Sequence, residues 1–305
     1  MKSAVKRITV VINASAGAGD RAAVAEKLAA TLQSAGVDAN LVLARSGNEV
    51  RSAVREATLG QFDVVVAGGG DGTINTVAAA LVGTDIALGV LPLGTLNHFA
   101  KDLGVSLDMD VALRDVIAGH TVQVDVGEVN GHYFLNNSSI GIYPRIVRDR
   151  EQLQRSGQRK WVAFIGAVIP ILRRHSFMLV RVSADGKDRL RRTPFVFVGN
   201  NEYQMEGFNM GTRGCLNAGC LSVYSVRHER RWGLLRLAVR ALFGRLRPSG
   251  DFDAFCTSAV RIESLHRHMH VALDGEVVRM DAPLNYRVRA GALRVIVPEG
   301  SACVR

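Results

Sequence analysis

The sequence predicts two architectures in series: a doubly wound parallel α/β domain, then an antiparallel β-sandwich. Three observations carry this. Over residues 1–121, short β-branched runs alternate with segments of helical periodicity, the pattern of repeated β-α units. Glycine-rich turns follow the first and third of those runs, where open α/β sheets hold ligands. Beyond Gly119 the chain changes to short strands joined at Asn130-Gly131 and Asp185-Gly186, pairs that favour tight hairpins. The boundary falls at 121/122, and the second domain, 122–305, leaves its C-terminal segment free to pack back on the first.

The elements follow in order. Ile8–Ile12 reads as a buried parallel strand. A turn, Asn13 to Gly19, leads to Asp20, which can cap a helix with the apolar face Val24, Leu28, Leu32 and Ala35, ended by Gly36. Val37–Ala44 is a second strand, and Val50, Ala53, Val54 and Ala57 mark a second helix. Phe62–Ala67 is a third strand, followed by a glycine turn and a helix over Ile74–Leu81. Ile86–Leu91 is a fourth strand, with a helix after Gly94. In the second half we expect strands at Val122–Val129, Tyr133–Asn137, Phe177–Ala184, Arg189–Val198, Leu221–Val226, Ala259–Ser264, His268–Leu273, Asn285–Ala290 and Leu293–Val297. Two helices, Arg159–Arg174 and Arg231–Leu246, interrupt them.

Composition narrows the partners. The 305 residues are 48% hydrophobic and 22% charged, a globular balance that argues against disorder. Lys and Arg outnumber Asp and Glu by 38 to 28, which favours an anionic partner such as nucleotide phosphates or acidic lipid headgroups. No recognition motif or aromatic-basic platform points to nucleic acid. The four cysteines form no CxxC pair and no zinc-spaced cluster, which fits a reduced compartment, and we read Cys215 and Cys220 as packed thiols. No signal peptide or membrane-spanning run stands out. Together these place the chain in the cytoplasm, with any membrane contact peripheral.

The strongest chemical signal is Gly68-Gly69-Gly70-Asp71-Gly72-Thr73, set between a strand and a helix. Consecutive glycines let the backbone approach a bulky anion and turn N–H groups toward it; the helix N-terminus adds a favourable dipole. Asp71 would repel phosphate unless a cation lies between them, which points to Mg²⁺ or to proton handling. Thr73 offers a hydroxyl. A lone glycine run would be an ordinary tight turn with Asp71 capping the helix, but the whole hexapeptide in this setting favours phosphate binding.

The hexapeptide also resembles the GGDGT signature of the diacylglycerol kinase catalytic-domain family, and further segments follow in the same order. Asn13-Ala14-Ser15-Ala16-Gly17 resembles the family's Asn-Pro-x-x-Gly turn. Pro92-Leu93-Gly94-Thr95-Leu96-Asn97-His98-Phe99-Ala100 resembles its P-x-GT-x-N-D-F-A segment, and Leu273-Asp274-Gly275-Glu276 its late DGE. Asp125-Val126-Gly127, Phe134-Leu135-Asn136 and Val198-Gly199-Asn200 are weaker echoes. The resemblance covers nearly the whole chain and implies a bacterial lipid kinase related to the sphingosine and ceramide kinases. It implies an NAD-kinase-like nucleotide domain, a β-sandwich lipid-substrate domain, and ATP and Mg²⁺ as cofactors. Asn13, Gly17, Ser46, Gly68, Gly69, Gly70, Asp71, Gly72, Thr73, Thr95 and Asn97 would then line the nucleotide site, with Asp71 near the metal. Glu276 would take the proton from the lipid hydroxyl, and Asp274 would orient it or help place metal. On its own, Asp274-Gly275-Glu276 reads as an ordinary hairpin turn.

Two positions depart from the family pattern. His98 stands where the family has Asp, and Ala218 in Asn217-Ala218-Gly219 removes a carboxylate from the loop that resembles a structural magnesium loop. Toward the membrane, Trp232, Leu235, Val239, Leu242 and Leu246 form a helical stripe amid arginines, and Trp161, Phe164, Ile165, Val168 and Leu172 form another. Either stripe could pack on the sandwich or lie on an anionic bilayer; the 230–247 segment is the first choice for the bilayer. His266, His268 and His270 alternate along one strand face and read as surface or cleft residues, not a metal site. The expectation is an ATP-dependent lipid kinase acting at the membrane surface, with a homodimer allowed. The alternatives are a soluble NAD-kinase-like enzyme and a catalytically silent lipid- or nucleotide-binding protein.

Overall fold

A computed structural model of the chain describes residues 7–14, 21–141, 177–206, 209–226 and 252–302. Asp20, Gly17 and both predicted amphipathic helices, 159–174 and 231–246, lie outside the described residues. The chain divides into two compact units. The first comprises residues up to Val126 together with Cys215–Gly219 and the C-terminal stretch from Arg289; the second comprises Gly127–Gly214 and Cys220–Val288.

The first unit is a parallel sheet with helices. Its strands are β1 (Arg7–Asn13), β2 (Asp38–Ala44), β3 (Val64–Gly69) and β4 (Ala87–Pro92), in the order β2-β1-β3-β4. β3 and β4 are buried along their whole length, and β1 over Ile8–Val11 and Ile12, which explains their near-continuous Val/Ile/Ala runs. β2 is the sheet edge and alternates in exposure. The helices α1 (Arg21–Ser34), α2 (Gly47–Leu59), α3 (Asp71–Leu81), α4 (His98–Asp102) and α5 (Met109–Ala118) follow in chain order. Leu28 and Leu32 of α1, Val54 of α2, and Ile74 and Val77 of α3 are buried, as the helical spacing of their apolar residues requires. Sequence periodicity did not mark α5, although its ends carry clear signals. Asp108 accepts hydrogen bonds from the N–H groups of Asp110 and Val111, and Gly119 closes the helix in the left-handed conformation.

The second unit holds two large antiparallel sheets and a separate two-stranded one among the described residues. Its strands include β6 (His132–Phe134), β7 (Asn137–Gly141), β8 (Met178–Ala184), β9 (Lys187–Thr193), β10 (Phe195–Asn200), β11 (Tyr203–Glu206) and β12 (Asn209–Arg213). β13 (Leu221–Val226), β14 (Phe252–Thr257), β15 (Ala259–Ser264), β16 (His268–Leu273) and β17 (Glu276–Asp281) complete it. β5 (Thr121–Val129) and β18 (Leu284–Ile296) are divided between the units. One sheet runs β14-β13-β10-β7-β16-β17; in the other, β18, β15, β8 and β9 are successive neighbours. Val129, Phe134, Ile140, Val180, Val198, Val223, Ile262, Val271 and Tyr286 come from both sheets and form one core, the architecture of a sandwich.

The fold class predicted from sequence is the fold observed, and several details differ for physical reasons. The expected strand Arg189–Val198 is two strands, β9 and β10, which belong to different sheets and are separated by Pro194. Proline has no N–H for a ladder, so the chain can change sheets there. Tyr133–Asn137 is likewise interrupted at Leu135 and Asn136, whose N–H groups donate to the Asp274 carboxylate. Asn285–Ala290 and Leu293–Val297 merge into one strand, β18. The expectation of unpaired cysteines is corrected: Cys220 and Cys256 form a disulfide, and Cys215 is free. Sequence spacing gave no hint of this, because the pair is brought together by the β13–β14 ladder, in which Ser222 pairs with Cys256. Among the described residues, no helix is long and apolar enough to cross a membrane.

Candidate active site

In the order β2-β1-β3-β4 the sheet changes direction between β1 and β3, and ligands of such sheets bind outside the carboxyl ends at that switch point. Asn13 closes β1, and Gly68 and Gly69 close β3. Asn13 Nδ2 donates to Thr73 Oγ1 at 3.0 Å, tying the end of β1 to the first turn of α3. Gly70 is the N-cap of α3 and carries no side-chain cap, so the first N–H groups of the helix remain directed outward at the switch point.

A second turn supports the first. Gly70 and Gly94 pack backbone to backbone: a Cβ on Gly94 would collide with Gly70 Cα and come within 2.8 Å of Asn97 Oδ1. Asn97 is buried and left-handed at φ 52°, a conformation Asn tolerates. Its side chain accepts from Gly94 N–H at 3.1 Å and donates to Gly94 O at 2.9 Å. Asn97 therefore shapes the turn, while Thr95 is exposed on it. Asp71 Oδ1 accepts from Phe99 N–H at 3.2 Å, holding the start of α4 against the glycine turn; among the described residues no hydrogen bond to Oδ2 is formed. Gly94→Ala is expected to push the turns apart and destabilise the fold by about 1–3 kcal/mol, as read by the urea unfolding midpoint.

Ser46 has a structural task. It caps α2, its Oγ accepting from Glu49 N–H while Glu49 Oε2 accepts from Arg45 N–H at 2.9 Å. Ser46 is thus an N-cap, with the first-turn Glu49 folded back on the residues that precede the helix. Sequence reading missed Arg21, at the start of α1, which donates to Leu93 O beside the Gly94 turn at 3.3 Å.

In the second unit, Asp274-Gly275 is a two-residue hairpin turn joining β16 to β17, with φ of 46° and 94°. The Asp274 side chain is half-buried, and its carboxylate accepts from the N–H groups of Leu135, Asn136 and Asn137 at 2.7, 2.8 and 2.9 Å. Arg213, which sequence reading also missed, locks the same loop by donating to Leu135 O, Asn200 O and Asn136 Oδ1. Both oxygens of Asp274 are thus engaged by backbone. Glu276, the first residue of β17, is exposed, and its carboxylate has no partner among the described residues. The turn holds Glu276 at the surface, and Asp274 beside it ties the hairpin to the 135–137 loop.

Burial pushes the Asp274 carboxyl up to about 6, against the pull of the three N–H donors and Arg213. Between pH of about 4 and 6, the folded chain therefore holds a proton that the unfolded chain has released. Stability from this group rises as pH falls through that window. From pH 7 to 4.5 the native protein is expected to gain about 2 kcal/mol relative to Asp274→Asn, measured by urea unfolding of both at each pH.

Other predicted positions also find places. Asp125 is buried, accepting from Gly219 N–H and Gly291 N–H at 2.6 and 2.9 Å, so it anchors the loop that contains Ala218. His98 is exposed at the start of α4. His268 and His270 lie on the exposed face of β16, His268 pairing with Asp281. Among the described residues, no group of three or more His, Cys, Asp or Glu side chains could hold a metal ion.

Comparison with known proteins agrees with this geometry. Residues 7–129 match the family described as the diacylglycerol kinase catalytic domain. Residues 139–297 match the YegS C-terminal NAD kinase beta sandwich-like domain. The chain is 29% identical over 282 residues to a diacylglycerol kinase of Bacillus subtilis, covering 89% of this chain and 90% of that protein. It is 27% identical over 289 residues to a Salmonella newport protein named "Probable lipid kinase YegS", covering 90% and 91%. Its fold matches a crystal structure of a diacylglycerol kinase from Bacillus anthracis with a TM-score of 0.73 at 21% identity, over 98% of this chain and 100% of that one.

Proposed function

This chain belongs to the diacylglycerol kinase catalytic-domain family of lipid kinases, in the form that carries a YegS-type β-sandwich, and from that premise we propose that it phosphorylates a lipid hydroxyl from ATP at a membrane surface. The observation that carries the reading is the paired glycine turn at the switch point, with the bare N-terminus of α3 at its centre. Gly68–Thr73 would cradle the phosphates, with Asn13 and the Gly94–Asn97 turn holding that cradle in shape. The lipid oxygen would attack the γ-phosphorus while the bond to the β,γ-bridging oxygen breaks, and ADP departs with that electron pair. Glu276 would take the hydroxyl proton. A carboxylate suffices because this transfer depends more on positioning than on strong basicity.

Mg²⁺ fits this donor set as an ion brought in with the nucleotide. One carboxylate, Asp71, with an oxygen that accepts no hydrogen bond among the described residues, matches Mg²⁺ held by one or two protein carboxylates plus substrate phosphates. When bound, it would neutralise charge on the β- and γ-phosphate oxygens. The test is incubation with γ-labelled ATP, Mg²⁺ and a total lipid extract. Label is expected in a phosphorylated lipid. Label found only in water-soluble products, including a phosphorylated dinucleotide, would overturn the reading.

A further inference from the structure

Within the second unit, the face of the β18-β15-β8-β9 sheet turned away from the sandwich core ends in an apolar cluster. Leu179, Leu190 and Leu265 are 41%, 62% and 84% exposed, three of the seven large hydrophobic side chains that stand exposed among the described residues. The register gathers them. Leu179 lies opposite Arg192 and Leu190 opposite Arg181 across the β8–β9 ladder, so the two leucines are diagonal neighbours on one face. Ser264 pairs with Val180, and Leu265, one residue further, comes level with Leu179.

Cations border the cluster. Arg192 lies over the Phe177 ring at 5.4 Å and has no carboxylate partner among the described residues. Arg181 reaches Glu263 only at 3.6 Å, with its side chain 56% exposed. Arg267 is exposed beside Leu265. We propose that this leucine cluster and its arginine border form a docking surface for an anionic lipid bilayer. The leucines would enter the boundary of the acyl chains, while Arg181, Arg192 and Arg267 meet headgroup phosphates. A net charge of +10 favours that approach.

A second copy of the chain is the weaker occupant. Three leucines offer on the order of 300 Å² of apolar surface, against about 800 Å² per partner in a stable interface. The cluster also lies at the end of the sandwich where Gly141 pairs with Phe195 and Val226 with Phe252. Glu276 stands at the other end of β16, about 20 Å away at the rise of a strand. A docked molecule would therefore act on an acceptor drawn out of the bilayer.

The inference takes its purpose from the lipid-kinase reading, and the two are tested separately. Full-length protein is sedimented with vesicles of phosphatidylglycerol and phosphatidylcholine in equal parts. Leu190→Glu with Leu265→Glu is expected to lower partitioning about tenfold, as is Arg192→Glu to a smaller degree. Leu265→Ser, at the most exposed site, gives a milder loss with no burden on the fold. Turnover on a short-chain diacylglycerol dispersed as monomers should be unchanged in all three. Partitioning of the double variant equal to that of the native chain would overturn the proposal, as would equal binding of native protein to neutral vesicles. A native dimer that the double variant abolishes, with vesicle binding intact, would assign the cluster to a second copy instead. Native protein that binds vesicles but phosphorylates no lipid would overturn the catalytic reading and leave the docking surface standing.

Discussion

Asp71→Asn is expected to lower phosphoryl transfer a hundred- to a thousand-fold, on the order seen when one preorganised electrostatic contact is removed from an active site. The substitution isolates charge from shape. Asn keeps an oxygen for the Phe99 N–H, which Asp71 Oδ1 accepts at 3.2 Å, so the start of α4 should stay in place. Asp71→Ala would lose that bond as well, at a cost of about 1 kcal/mol in stability. The sign of the effect on ATP affinity is the discriminating result. A carboxylate beside phosphates with no cation between them is repulsive, so its removal would tighten ATP binding. If Asp71 faces Mg²⁺ carried by the nucleotide, its removal weakens binding of the Mg²⁺ complex and slows turnover. Steady-state kinetics over a range of Mg²⁺ concentrations measures both. Tighter ATP binding with turnover preserved would make Asp71 a helix-terminus residue and remove the metal from the proposal.

The two halves of this site were legible in the sequence to different degrees. The glycine turn could be read because its chemistry is local: the strand before it, the helix after it and the anion-binding backbone lie within a dozen residues, and parallel strands buried on both faces show themselves as unbroken apolar runs. The long-range parts were not legible. Arg213 reaches Leu135 and Asn136 across more than seventy residues, and nothing in Gly211-Thr212-Arg213-Gly214 announces a buried cation. Asp274 was visible as a turn residue, yet its burial depends on Leu135–Asn137 folding around it, which breaks the strand that periodicity had predicted there. The same holds for Cys220 and Cys256, which are joined through strand pairing. Asn97 and Ser46 show the reverse case. The resemblance assigned them to the nucleotide, and their hydrogen bonds show what they hold in place locally: a left-handed turn and a helix cap.

Glu276→Gln is expected to reduce turnover by a factor of about 10²–10⁴, the range supplied by a positioned general base, with the Michaelis constant for ATP unchanged. Glu276 is exposed and its carboxylate holds no other group among the described residues, so the amide should leave the unfolding midpoint where it was. Asp274→Asn provides the contrast. Its carboxylate satisfies three partly buried N–H groups, and an amide cannot accept from all of them with both of its ends, so one donor is left unsatisfied at a cost of about 1–3 kcal/mol. That variant should lose both stability and activity, because the turn that aims Glu276 loosens. A base and its anchor are thereby separated by a measurement that activity alone cannot make: denaturant midpoints read the anchor, and turnover at an unchanged midpoint reads the base. Glu276→Asp adds a geometric check, since shortening the side chain by one methylene keeps the charge and withdraws it from the acceptor; partial activity is expected. Near-native turnover in Glu276→Gln would show that the proton leaves by another route, and Glu276 would then be only the exposed end of a hairpin.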